Sequence, residues 1–148
     1  MSEYEITEQE AEFFLNMEKI KVNNKEWDLP DLGRKISVPI ISLNKKEHFW
    51  LDISRKRVNL KKQKYQTRFR ESIILARLDL GNNHRNPDGE EIGSPHLHLY
   101  KEGYNDKWAY PVPKDIFKDT NNAWETLHDF MQYCQIIEVP NFRRGLFT

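Results

Sequence analysis

At Lys35 the spacing of the apolar residues changes, and that change does most to limit what this chain can fold into. Before it, Phe13, Phe14, Met17 and Ile20 recur at helical spacing. After it, Ile36, Val38 and Ile40 alternate with Ser37 and Pro39, the two-residue period of a strand with one buried face. Toward the C-terminus the helical period returns, with Trp124, Leu127, Met131 and Cys134 on one stripe and Phe130 beside it. The order predicted is α-β-β-β-β-β-α. It implies a single α+β domain over residues 1–148. Its core is an antiparallel sheet or half-barrel of about five to six strands, with an N-terminal and a C-terminal helix.

Local signals sharpen that outline. Thr7 and Glu10 have capping-box spacing, so the first helix should start there and run to near Val22. Asn122 and Glu125 repeat the signal for the second helix, expected to end near Ile136. Pro39 has no N–H for a ladder, which predicts an edge strand or a bulge. Asn44-Lys45-Lys46 reads as a turn, residues 48–54 as a second strand and Val58-Asn59-Leu60 as a third. Residues 68–80 should hold a longer strand, and Trp108-Ala109-Tyr110 a short one. The partly apolar tail should dock on the body.

Composition excludes several classes. One cysteine, Cys134, forbids an intrachain disulfide framework and fits a reducing compartment; its place on an apolar stripe predicts a buried structural thiol. No apolar run is long enough to span a membrane, and the acidic start lacks the core of a signal peptide. A cytoplasmic protein without membrane contact is expected.

Residues 81–108 are the least ordinary segment. They hold His84, His96 and His98, three of the chain's five histidines. In His96-Leu97-His98-Leu99-Tyr100 strict alternation predicts leucines toward the core and two imidazoles and a phenol on an open face. Asn86-Pro87-Asp88-Gly89 has type I turn composition, in a loop long enough to suggest function. Three readings stand. His96 and His98 could exchange protons, as RNA cleavage by the 2′-hydroxyl requires, with Arg85 and Lys107 stabilising the phosphorane and His84 or Tyr100 orienting the substrate. Arg68, Arg70 and Arg77 are further candidate cations. Alternatively, His96, His98 and His84 could supply three nitrogens to a metal. In the third reading the rings are structural. The acid–base version needs no cofactor.

Charge is unevenly placed in a chain of net charge zero. Six glutamates and no basic residue precede Lys19, whereas residues 55–70 carry eight Lys/Arg and no acid. Within that basic run Lys64, Tyr65, Arg68 and Arg70 form a candidate contact for RNA or single-stranded nucleic acid, cations for phosphates and a ring for bases. The same run also fits a solvated edge strand guarded by lysines.

Two resemblances bear on function. His96-x-His98-x-x-x-Glu102 is similar to the first metal motif of the cupin family, but the one later histidine, His128, falls on a predicted helix. The run HRNPDGEEIGSPHLHLYKEGYNDKWA, with ARLDL before it, resembles a small bacterial family known only as a domain of unknown function, from about Lys35 onward. That resemblance implies bacteria and their mobile elements, hence a toxin–antitoxin setting with a possible antitoxin partner. It implies no catalytic residue. A nucleic-acid-directed protein is expected, in the form of a metal-independent endoribonuclease of toxin type. The alternatives are a non-catalytic interaction or inhibitory protein and a metal-dependent enzyme.

Overall fold

A computed structural model describes residues 5–56 and 63–143. In chain order its elements are α1 (Glu8–Asn16), β1 (Lys19–Lys21), β2 (Glu26–Asp28), β3 (Lys35–Ser42), β4 (His48–Arg55), β5 (Gln63–Phe69) and β6 (Ile73–Asp79). There follow β7 (His84–Arg85), β8 (Glu91–Ile92), β9 (His96–Leu99), β10 (Ala109–Pro111), α2 (Ala123–Tyr133), β11 (Ile136–Glu138) and β12 (Asn141–Arg143). The expected strand at Val58-Asn59-Leu60 lies outside the described residues.

Both helices begin where their caps predict and end early. Thr7 Oγ1 accepts from the Glu10 N–H while the Glu10 carboxylate accepts from the Thr7 N–H, each at 3.0 Å. Asn122 Oδ1 accepts from the Glu125 N–H at 3.1 Å. α1, however, stops at Asn16 rather than near Val22, and the chain is extended at Met17. A helix end leaves carbonyls without intrahelical donors. Here the Lys19 ammonium supplies them, donating to the carbonyls of Leu15 and Met17 at 2.9 and 2.8 Å. Its third bond, also 2.8 Å, goes to the carbonyl of Cys134, just past α2. Burial pushes the Lys19 amine down to about 8. That is still above neutrality, so it keeps the three hydrogens its three acceptors need. α2 stops at Tyr133 instead of near Ile136, because Gln135 adopts a φ of 61° and the chain leaves as β11.

The main sheet has eight strands in the order β10-β9-β6-β5-β4-β3-β1-β11. Every pairing in it is antiparallel except that of β1 with β11. It exceeds the five to six strands expected from sequence for two reasons. β1 and β11 have three residues each, too short to display an alternation. The basic stretch, moreover, contains β5, an interior strand between β4 and β6 rather than an edge. β3 is interior too, which corrects the edge expected from Pro39. Of β3, β1 pairs only with Ser42, Ile41 and Ile40, so the ladder on that side ends one residue short of the proline. The tail docks through β12, parallel to β2.

One face of the sheet carries the helices. Val38, Ile40, Phe49, Leu51, Ile53, Tyr65, Phe69, Leu78 and Leu97 pack there with Leu127, Phe130 and Met131 in one core. Phe14 of α1 stacks on Phe69 with ring centroids 3.9 Å apart. A β-bulge sets which β6 residues belong to that core. Thr67 pairs with Ala76 and Arg68 with Ile74, leaving Leu75 as an extra residue. Leu75 and Ala76 are therefore both buried, and past them Arg77 and Asp79 fall on the face away from the helices.

Candidate functional site

Two rows of polar side chains cross the helix-free face. Strand register aligns Ser37, Asp52, Gln66, Arg77 and His98 in one row across five strands. A parallel row holds Lys35, Ser54, Lys64, Asp79 and His96. Each strand supplies these residues by alternation, the residues between them going to the core.

Asp52 anchors the middle of the face. Its carboxylate accepts from Ser37 Oγ (2.6 Å), Gln66 Nε2 (2.7 Å), Arg68 Nε (2.6 Å) and Arg68 Nη2 (2.9 Å). Burial alone would push this carboxyl up, but the hydrogen bonds from Arg68, Ser37 and Gln66 outweigh it and hold it below the usual range. The bond to Asp52 likewise raises the Arg68 guanidinium. That guanidinium lies 5.6 Å from the ring of Trp50, a half-buried side chain on the same face. Lys64 reaches within 3.9 Å of Asp79 and keeps about a third of its side chain in solvent (36%).

At the β9 end the face is roofed. Asn86-Pro87-Asp88-Gly89 forms the predicted turn, the Gly89 N–H donating to the Asn86 carbonyl at 2.8 Å, and β7 and β8 pair on either side of it. The resulting hairpin folds back over β9 and β10. Asn86 binds the backbone of Ala109 twice, donating to its carbonyl at 2.9 Å and accepting its N–H at 2.8 Å. His84 Nε2 bonds the Lys107 carbonyl at 2.8 Å.

Beneath this roof the three histidines meet. Ring centroids are 4.6 Å apart for His84 and His98, 4.8 Å for His96 and His98, and 5.7 Å for His84 and His96. His98 Nδ1 lies 2.8 Å from the Asp106 carbonyl and His96 Nδ1 lies 3.3 Å from that of Gly93. A carbonyl can only accept, so these contacts place the hydrogen on the nitrogen that makes them. His96 Nε2 is 3.8 Å from the Asp79 carboxylate. Burial and the neighbouring charge of Arg77 push His98 down to about 4. Burial also lowers His96, with Asp79 partly opposing the shift. Both imidazoles are therefore neutral near pH 7.

The expected site thus assembles only in part. His84, His96 and His98 come together, but His96 and His98 are each 1% exposed instead of facing an open hollow. Alternation placed the two rings opposite the leucines; it could not reveal that a hairpin from earlier in the chain would cover them. Tyr100 leaves the row, its hydroxyl donating to the Ile6 carbonyl at 2.7 Å and accepting the Ile6 N–H at 3.2 Å. The Arg85 guanidinium turns outward to Glu91. Lys107 meets the cluster through its carbonyl. Arg70 sits at a φ of 57° on the β5–β6 turn, its guanidinium 4.7 Å from the Phe69 ring. Arg68 and Lys64 do line the polar face, but Tyr65 is 1% exposed among the core residues and cannot stack on a base. In a strand, alternate residues point apart, so Tyr65 and Phe69 of β5 face inward and Lys64 and Arg68 outward.

Several residues of the face were not singled out from sequence. Trp50 and Asp52 stand at alternate positions of β4, and that spacing was the available signal. Gln66 and Asp79 needed the register, and Asn86 was read only as a turn residue. Among the described residues no group of three or more His, Cys, Asp or Glu side chains is placed to hold a metal ion. No described helix is long and apolar enough to cross a membrane.

The family of unknown function DUF6978 matches the chain over residues 6–136. The match begins well before the Lys35 boundary suggested by the motif. No curated protein and no solved structure matches.

Proposed function

The chain belongs to this family of unknown function, DUF6978, and from that premise we propose that it is a nucleic-acid-directed protein that takes single-stranded RNA or DNA on its helix-free sheet face. The observation that carries the reading is the placement of Lys64, Gln66 and Arg68 beside half-buried Trp50 on a face that no helix covers. Lys64 can meet a phosphate, Gln66 and Arg68 each keep an amide or guanidinium hydrogen beyond those given to Asp52 and the Glu71 carbonyl, and the half-buried indole is a platform for an unpaired base. A twisted open sheet follows a flexible strand better than it enters a duplex groove. Because the chain has no net charge, attraction would be local to this face.

The test is fluorescence anisotropy with labelled single-stranded RNA, single-stranded DNA and duplex at several salt concentrations. Single strands should bind more tightly than duplex and weaken as salt rises. Trp50→Ala should weaken binding by roughly fivefold to a hundredfold, the range of one base stacked on an aromatic ring. Equal affinity for all three probes, or no binding at low salt, would sink the proposal and favour a protein-docking role for the same face.

A second reading, cleavage of the bound RNA, is favoured by one observation: three imidazoles, one from β7 and two from β9, meet at the end of the same face. Such an enzyme would be a toxin-type endoribonuclease needing no metal, held in check by a partner. It requires the β7–β8 hairpin to lift, since the rings are covered. Incubating RNA with the protein from pH 5 to pH 8 separates it from simple binding.

A further inference from the structure

We infer that the β7–β8 hairpin is an acid-released cover over the His96 and His98 end of the polar face. The geometry is that of a lightly fastened roof. Of the residues from His84 to Ile92, only Asn86 and Ile92 are buried. Ile92 stands apart from the main core cluster. The fastenings are the two Asn86–Ala109 hydrogen bonds and the His84–Lys107 carbonyl bond. Segments with few buried apolar contacts open locally at low cost.

What lies under the roof makes that cost depend on pH. The charged groups facing the three rings are Arg77 and Asp79 of β6. Asp79 is shared with Lys64 of β5, and Arg77 is paired with Asp106 of the loop before β10. On the hairpin itself Arg85 and Glu91 pair with each other on the outer surface. A first proton on His96 finds Asp79 at 3.8 Å. A second, on His98, would sit 4.8 Å from that ring, centroid to centroid, and beside Arg77, whose own carboxylate partner is Asp106. Lifting the hairpin hydrates all three rings and separates His84 from the other two. Because the closed state lowers His96 and His98 below their usual value of 6.5, the open state binds protons more readily and gains weight as pH falls below it.

The consequence goes beyond the proposed binding role and stands without it. An opened roof would add Arg77 and His98, as cations, to the row that already holds Gln66, and His96 to the row that holds Lys64. Neutral pH would then present the short face, and mild acid the extended one.

Hydrogen exchange on the whole protein tests this, read as protection corrected for the intrinsic rate at each pH. Between pH 7 and pH 5 protection of residues 84–92 and of the Ala109 amide should fall at least tenfold, while β4 and β5 hold theirs. A triple variant with glutamine at 84, 96 and 98 should lose this pH dependence. Where that variant does not fold, His84→Gln alone serves, since its amide can still donate to the Lys107 carbonyl; it should move the midpoint to lower pH. Protection of the hairpin that is flat across pH would overturn the inference. So would a loss shared equally by β4 and β5, or a His84→Gln midpoint equal to that of the native chain.

Discussion

The ammonium of Lys19 donates to the carbonyl of Cys134 across 115 residues of sequence, at 2.8 Å, and so ties the end of α2 to the end of α1. The bond closes two helices with one charge, fully buried at Cys134 and half-buried at the end of α1. Lys19→Met keeps the length of the side chain and removes the donor. It would strand the carbonyls of Leu15, Met17 and Cys134. With about 1–3 kcal/mol for each buried polar group left unpaired, the variant should lose at least about 2 kcal/mol in urea unfolding. A midpoint equal to that of the native chain would show that water reaches those carbonyls.

The same lysine predicts a trend at high pH. Its folded pKa of about 8 lies below the ordinary 10.5, so the unfolded chain holds this proton more tightly. Stability contributed by this group is fully present above 10.5 and is lost as pH falls toward 8. The native chain should therefore gain stability relative to Lys19→Met on going from pH 8 to pH 10, measured as the difference between their denaturation curves.

Asp52 predicts the acid limb. Its carboxyl is held below 3.8, so the stability it lends is present above that value and lost as pH falls through the folded pKa. Asp52→Asn should flatten the acid denaturation profile below pH 4. At pH 7 Asp52→Ala should cost roughly 3–5 kcal/mol, because Arg68 would be left without its partner in a half-buried position. Thermal unfolding at the two pH values reads both effects.

His98 sets a window at milder acidity. With a folded pKa of about 4 against 6.5 for a free imidazole, its contribution to stability is complete above 6.5 and declines as pH falls toward 4. Chemical denaturation of the native chain and of His98→Gln at pH 7 and pH 5 should show a smaller pH-dependent loss in the variant.

Asn86→Ala should loosen the hairpin without changing the main sheet. It removes both hydrogen bonds to Ala109 and leaves a buried N–H and carbonyl of β10 unpaired. A loss of about 1–3 kcal/mol is expected in the local opening free energy of the Ala109 amide, measured by hydrogen exchange. Amides in β4 should keep their protection.

These features were unequally legible in the sequence. The Thr7–Glu10 box and the alternation of Ile36, Val38 and Ile40 report interactions between neighbours, and both survive in the structure. β1 and β11 are invisible in advance because three residues show no period, and the strands exist only through partners far along the chain. The inward turn of Tyr65 was readable from its alternation with Lys64 and Gln66, had charge not drawn the attention. The burial of His96 and His98 was not readable, since it depends on Asn86 finding Ala109, a pairing that no local pattern encodes.

The extra residue at Leu75 carries a last implication. It is a single insertion in the pairing of β6 with β5. Excising that leucine would make Ile74 and Ala76 neighbours, still opposite Arg68 and Thr67, so Arg77, Leu78 and Asp79 would keep their sides on a plain ladder while the core lost one leucine. A one-codon deletion there should therefore be tolerated better than one between Ala76 and Asp79, which would turn the residues beyond it to the opposite face.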